Sequence, residues 1–300
     1  MRALIWIMTP LLIICVLLAS RFVSWDRLKG EDPVVVEYVN EGTSLLEGIN
    51  PDHQGAVAAF TRAIERDPKC ALAVIRRGLA FHYLGEYDQA IADYDRAIKL
   101  RRYEAEAYYS RGDAHRELTN YPEAIADYTA SLEKRWAAFV IWKRADVYLQ
   151  IGEEQRALAD YTAVIQRKGG AAGYYQRGRA YVQLQENELA LDDFNTGIEI
   201  EPKFAEAYLS RGETYERLNR QHDAKSDYLK VVELADAEIQ MWEKDHPILG
   251  PVYYRRGIAH ERLGNIEQAR ADFQTVAKIT PSELIGREVK SRLRMLVPHH

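Results

Sequence analysis

The side chains best suited to chemistry are few, and their spacing serves no recognised reaction. His115 and His260 could act as a base or a metal ligand. Each occupies a column that Tyr or Phe holds elsewhere in the chain, so each reads as an aromatic substitute in packing. His82 is expected on a groove face, with no acid or second ligand placed to work with it, and His299 and His300 form a terminal tail. Asp192 and Asp193 are neighbouring carboxylates that a helix points in different directions, one into packing and one to solvent. Cys15 lies inside an apolar run and Cys70 near a repeat junction, so no disulfide framework is expected. GxSxG, P-loop, HExxH and CxxC arrangements are absent, as is a glycine-rich turn after a strand. The expectation is a protein that is not an enzyme and holds no cofactor and no metal.

Charge excludes one further class. With 40 basic and 45 acidic residues the net charge is -5, which is not the footprint of a nucleic-acid binder. Two charged columns do recur. Arg77, Arg111, Arg144, Arg177, Arg211 and Arg256 are answered by Asp93, Asp127, Asp160, Asp193, Asp227 and Asp272. One charge of each sign per period predicts a ladder of bidentate Arg–Asp pairs between neighbouring helices. A row of arginines gripping an anion is the alternative.

These columns belong to an internal repeat. Anchored on a small residue, Gly78, Gly112, Ala145, Gly178, Gly212 and Gly257 follow one another at 34, 33, 33, 34 and 45 residues, with a degenerate copy near Gly42. Each copy reads as two amphipathic helices, because small or apolar residues recur at three- and four-residue steps. The second helix carries Ala90, Ala124, Ala157, Ala190, Ala224 or Ala269. Four residues on stands an aromatic: Tyr94, Tyr128, Tyr161, Phe194, Tyr228 or Phe273. Small residues let two helices approach, and the aromatic fills the space beside them.

With its helix-turn-helix unit, small residue in the first helix, alanine opening the second and prolines at Pro68, Pro202 and Pro281, the sequence resembles the tetratricopeptide-repeat (TPR) family over residues 37 to 281. The resemblance implies an all-α, right-handed α-solenoid of about seven repeats, at 37–68, 71–102, 105–136, 138–169, 171–202, 205–244 and 250–281. The long 45-residue step predicts a second helix that runs to about Lys244 and projects from the stack. Thr280, Pro281 and Glu283 read as a helix start. A capping helix with the stripe Ile285, Val289, Leu293 and Leu296 follows in the segment 282–300.

At the other end, Ala3 to Ser20 carry no charge and as a helix would reach about 27 Å, near the hydrocarbon thickness. A single N-terminal hydrophobic helix is expected, with residues 1–24 as a single-pass anchor, membrane contact through residues 3–20, and a linker at 25–36. The flanking charges, Arg2 against Arg21, Arg27 and Lys29, are close to balanced. The reading leans to an extracytoplasmic repeat domain. The alternative is a cleaved signal that leaves a secreted or periplasmic protein.

The resemblance also implies a concave groove lined by the first helices. Three residues before the small residue stand Ile75, Tyr109, Trp142, Tyr175, Leu209 and Tyr254; one after it, Asp113, Asp146, Arg179 and Glu213; four after it, Arg116 and Glu216. Of these, Tyr109, Trp142, Tyr175, Leu209, Tyr254, Asp113, Arg116, Asp146, Arg179, Glu213 and Glu216 form the candidate partner-binding set. The lysine and asparagine set by which chaperone-tail-binding members clamp a terminal carboxylate is missing. The expected ligand is an internal or helical peptide segment of a protein partner, apolar on one side and basic where it meets Glu206, Glu213 and Glu216. Trp142 and Tyr175 are expected to be removable without loss of fold. In the alternative, these aromatics only pack against adjacent repeats. The functional expectation is a non-catalytic interaction scaffold. A regulatory subunit of a separately encoded membrane or envelope enzyme, or a homo-oligomerising structural protein, stands beside it.

Overall fold

The computed structural model describes residues 32–47, 51–167, 169–243, 246–279 and 283–296. Among these residues all regular structure is helical: fifteen α-helices and one 3-10 turn, with no strand. Seven hairpins follow one another: α1 (Pro33–Glu47) with α2 (His53–Arg66), α3 (Ala71–Leu84) with α4 (Tyr87–Lys99), α5 (Glu104–Glu117) with α6 (Tyr121–Lys134), α7 (Ala138–Gln150) with α8 (Glu154–Gln166), α9 (Gly170–Gln183) with α10 (Asn187–Ile200), α11 (Ala205–Arg217) with α12 (Gln221–Ile239), and α13 (Gly250–Arg262) with α14 (Ile266–Ile279). A last helix, α15 (Glu283–Met295), packs on α14. The first helix opens at Pro33, ahead of the repeat limit drawn at 37.

The described residues form two compact units, 32–164 and 165–296, divided in the last turn of α8. In the first unit each helix from α1 to α7 packs on the next, and the first helices also touch, α1 on α3 and α3 on α5. The second unit repeats this from α9 to α15, with α9 on α11 and α11 on α13. Within each unit, first helices thus form one layer and second helices another.

The small-residue column is where the two helices of a hairpin meet. A Cβ built on Gly78, Gly112, Gly178, Gly212 or Gly257 would lie 2.7–2.9 Å from a ring carbon of Tyr94, Tyr128, Phe194, Tyr228 or Phe273. These rings are themselves fully buried, so the glycine is the socket for the aromatic. The arginine ladder is formed as well. Each of the six arginines donates through Nε and Nη2 to both oxygens of the aspartate sixteen residues on, at 2.5–2.9 Å. Nη1 then reaches the preceding second helix, from Arg77 to Thr61, Arg111 to Asp95, Arg144 to Thr129, Arg211 to Asn195 and Arg256 to Asp236. Each of these five arginines ties three helices, with its forked donors directed at protein acceptors. The ladder is a staple of the fold and leaves no row of arginines for an anion.

The six first helices after α1 end the same way. Seven residues after the small one, the chain turns left-handed at Gly85, Thr119, Gly152, Gln185, Asn219 and Gly264, and the next N–H returns to the carbonyl five residues back at 2.8–2.9 Å. Glycine accepts this conformation freely, whereas a β-branched side chain is strained in it. Thr119→Gly is therefore expected to raise stability by about 1 kcal/mol, readable as a higher urea midpoint with an unchanged denaturant slope.

Three expectations need correction. The single-pass anchor is not supported: among the described residues no helix is long and apolar enough to cross a membrane. The longest, α12 with 19 residues, carries Asp223, Lys225, Asp227, Lys230 and Glu233. Residues 1–24, on which the anchor, the N-terminal hydrophobic helix and the membrane localisation were read, lie outside the described residues, and that localisation is withdrawn. Second, α12 stops at Ile239 and does not project. Ala235, Ile239 and, from the 3-10 turn Pro247–Leu249, Leu249 are buried in the core of the second unit. Third, the groove acid Glu206 is 3% exposed, bonded to Arg255 at 2.5 Å, so it cannot face a ligand. The helix start at 280–282 also lies outside the described residues. Val289 and Leu296 of the closing segment are buried, as a cap requires.

Candidate functional site

In the first unit the inner face of the first helices carries Tyr109, Asp113 and Arg116 on α5 and Trp142, Lys143 and Asp146 on α7. Asp113 accepts from the Tyr128 hydroxyl at 2.6 Å and lies 3.3 Å from Lys143 Nζ and 3.5 Å from Arg116 Nε. Burial works against its charge, but Lys143, Arg116 and the tyrosine hydroxyls outweigh burial and hold its pKa below the usual carboxylate range. One repeat on, Asp146 accepts from the Tyr161 hydroxyl in the same way. An acid one residue after the small position thus answers the polar tip of the aromatic fifteen residues after that acid. Both acids serve their own hairpins before any partner. Tyr109 stands edge-on to Phe139, with ring centroids 5.0 Å apart. Trp142 is half-buried, and its indole Nε1 is buried without an acceptor among the described residues.

The second unit engages its candidates further. Tyr175 is 5% exposed, its ring 5.0 Å from that of Phe204 and 6.0 Å from that of Phe194; Leu209 is 6% exposed in the core. Arg179 lies 5.8 Å over the Tyr175 ring and donates to Gln176 at 3.1 Å. Glu213 and Glu216 face Arg262 at 3.5 and 3.3 Å. Burial pushes the Glu213 carboxyl above its ordinary pKa against the pull of Arg262. Tyr254 donates its hydroxyl to Glu288 of α15, and Arg292 of that helix pairs with Glu261 at 2.7 Å. The acids expected to attract a basic ligand are already matched by arginines.

The cations that do the matching were missed. Arg76, Lys143 and Arg255 stand two residues before the small one and reach back to Glu47, Asp113 and Glu206. Arg262 stands five after it. These positions lie beside the columns used for the groove, so their charge was available as a signal. His115 Nε2 is 4.0 Å from the ladder aspartate Asp127, and burial lowers the pKa of His82 and of His260. Asp193 is in the ladder and Asp192 is exposed. Cys70 is buried. Among the described residues no group of three His, Cys, Asp or Glu side chains could hold a metal ion.

Paired helices, a small residue at the socket of each second-helix aromatic, and a first-helix face left partly open define an α-helical repeat protein. Family models described as TPR repeat match residues 78–118 and 178–219, and models described as Tetratricopeptide repeat match 105–133, 205–238 and 250–283, together half of the chain. The chain belongs to the tetratricopeptide-repeat family. Its fold is similar to that of a tetratricopeptide repeat protein from Parabacteroides merdae (15% identity, TM-score 0.58, covering 88% of this chain and 99% of that one). It is also similar to the C-terminal part of a TPR repeat-containing protein from Cytophaga hutchinsonii (16%, TM-score 0.53, 85% and 99%). Yeast Tom70 is similar as well (14%, TM-score 0.66, 91% and 57%). At such identities the likeness shows the fold alone. No curated protein matches the chain.

Proposed function

We propose that the protein is a non-catalytic scaffold, its seven repeats bounded close to the limits read from the sequence, whose first-helix face holds a peptide or short helical segment of a protein partner. The observation that carries this reading is Trp142: a half-buried indole on that face whose buried donor meets no acceptor among the described residues. Buried polar groups are ordinarily satisfied; the donor itself is shielded, so a docking segment meets the half-exposed indole ring and takes the N–H only as the ring turns toward it. Aromatic residues of this kind dominate the energetics of interfaces.

Of the candidate set, Trp142 and Tyr109 of the first unit best serve this role, since Tyr175 and Leu209 belong to the core. Trp142→Phe keeps an aromatic ring and removes the donor. The full-length variant is expected to unfold with the wild-type protein in thermal melts, while quantitative capture of partners from cells weakens by about tenfold. Undiminished capture by the folded variant would overturn this role for Trp142.

A further inference from the structure

The loops that join hairpins in the first unit are unlike the others. Where Pro68 and Pro202 end their repeats, the sequence places Arg101 and Arg102 after α4, and Lys134 and Arg135 at the end of α6. Arg101 and Tyr103 have φ of +53° and +57°, left-handed non-glycine residues outside the column that ends each first helix. Lys134 is held by Glu104 at 3.1 Å, while the exposed Arg101 and Arg135 have no partner among the described residues.

Between these loops lies a cleft of about 330 Å³ walled by Arg101, Glu104, Glu106, Lys134 and Arg135. It continues, past Ala105 and Arg135, into a recess of about 200 Å³ lined by Tyr109, Phe139 and Val140. Phe139 is 44% exposed beside the buried Val140. The recess is therefore apolar at its floor and cationic at its mouth.

We infer that this cleft docks an acidic peptide segment bearing one apolar anchor residue. The inference rests on the scaffold reading above and names the partner chemistry for one end of that face. An apolar side chain fills the recess against Tyr109 and Phe139, and flanking carboxylates meet Arg101 and Arg135, whose forked donors suit them. Charge complementarity decides between occupants. Glu104 and Glu106 in the wall repel a continuous phosphate backbone, whereas a peptide places discrete carboxylates on the cations and none on the acids. A basic peptide would leave both free arginines unmatched.

The test is selection of a displayed library of short random peptides on the full-length protein, followed by anisotropy titration of the enriched peptides and of a single-stranded DNA. The variants are Arg101→Glu with Arg135→Glu, all exposed positions, and Lys203→Glu with Lys225→Glu as an equal charge change elsewhere. Enriched peptides are expected to be acidic around one aromatic or aliphatic residue. They should weaken more than tenfold on the first variant and hardly on the second, and lose binding when the anchor becomes Ala. Basic enriched peptides, equal effects of the two variants, tighter DNA binding, or no enrichment would each overturn the inference. If it fails while Trp142→Phe still weakens partner capture, the scaffold reading stands without it. If Trp142→Phe leaves capture unchanged while the peptide result holds, the cleft stands and the role given to Trp142 falls.

Discussion

Replacing Arg255 by Ala is expected to destabilise the protein by about 3–5 kcal/mol, because it breaks a buried ion triad on one side only. Arg255 is 2% exposed and donates to Glu206 at 2.5 Å and to Glu238 at 2.9 Å, so one guanidinium joins α13 to α11 and α12. Without it two carboxylates remain in the second unit, Glu206 with 3% exposure. Replacing all three together, Arg255→Met with Glu206→Leu and Glu238→Leu, should cost far less, since an apolar set needs no counter-charge. The pH dependence separates charge from packing. Burial raises the pKa of Glu238, Arg255 lowers it and Glu206 raises it, so losing Arg255 moves it further up. A carboxyl whose folded pKa lies above its unfolded value, about 4.3, binds protons preferentially in the folded state. Stability then falls as pH rises from the unfolded toward the folded value, and stays low above it. The deficit of Arg255→Ala should therefore be smaller near about pH 5 than near about pH 8 in urea unfolding followed by circular dichroism. A loss under about 1 kcal/mol, or one independent of pH, would remove the triad from the account.

What was legible in the sequence was whatever recurs. The small-residue socket, glycine in five copies and Ala145 in one, the second-helix aromatic and the Arg–Asp ladder each appear six times in the alignment, and each has a single geometric reason, so period alone placed them. What recurs without being shared escaped. Arg255 and Lys143 share a column yet pair with acids of different columns, Glu206 and Asp113, while Arg262 reaches Glu213 from another column, and the pairing depends on which first helix lies alongside. The acids stand out in the sequence while the arginines that answer them sit in other columns, which is why Glu206, Glu213 and Glu216 read as a free acidic surface. The long step before Gly257 misled for a related reason. Helical spacing persists through Ile239, but burial of Ala235 and Ile239 and the grip of Arg255 on Glu238 turn the extension inward. At the candidate face, periodicity could say which side of the helix a residue occupies. It could not say whether the neighbouring hairpin already fills that side.

Tyr175 is where that distinction has its largest measurable consequence. From its column it matches Trp142, and both were expected to be dispensable for folding. The structure separates them: Tyr175 is 5% exposed and packs on Phe204 and Phe194, the latter seated on Gly178. Tyr175→Ala would empty a ring-sized volume among α9, α10 and the start of α11, a site whose aromatic walls come from two further elements and can collapse only in part. The expected cost is about 3–5 kcal/mol, the range for truncating a buried aromatic. Tyr175→Phe keeps the ring and should cost under about 1.5 kcal/mol, so the pair reports on the volume rather than on the hydroxyl. Urea unfolding of both variants beside Trp142→Phe makes the comparison direct. Stability is expected to fall steeply for Tyr175→Ala alone, and partner capture to fall for Trp142→Phe alone among the variants that remain folded. Wild-type stability in Tyr175→Ala together with lost capture would return Tyr175 to the binding face.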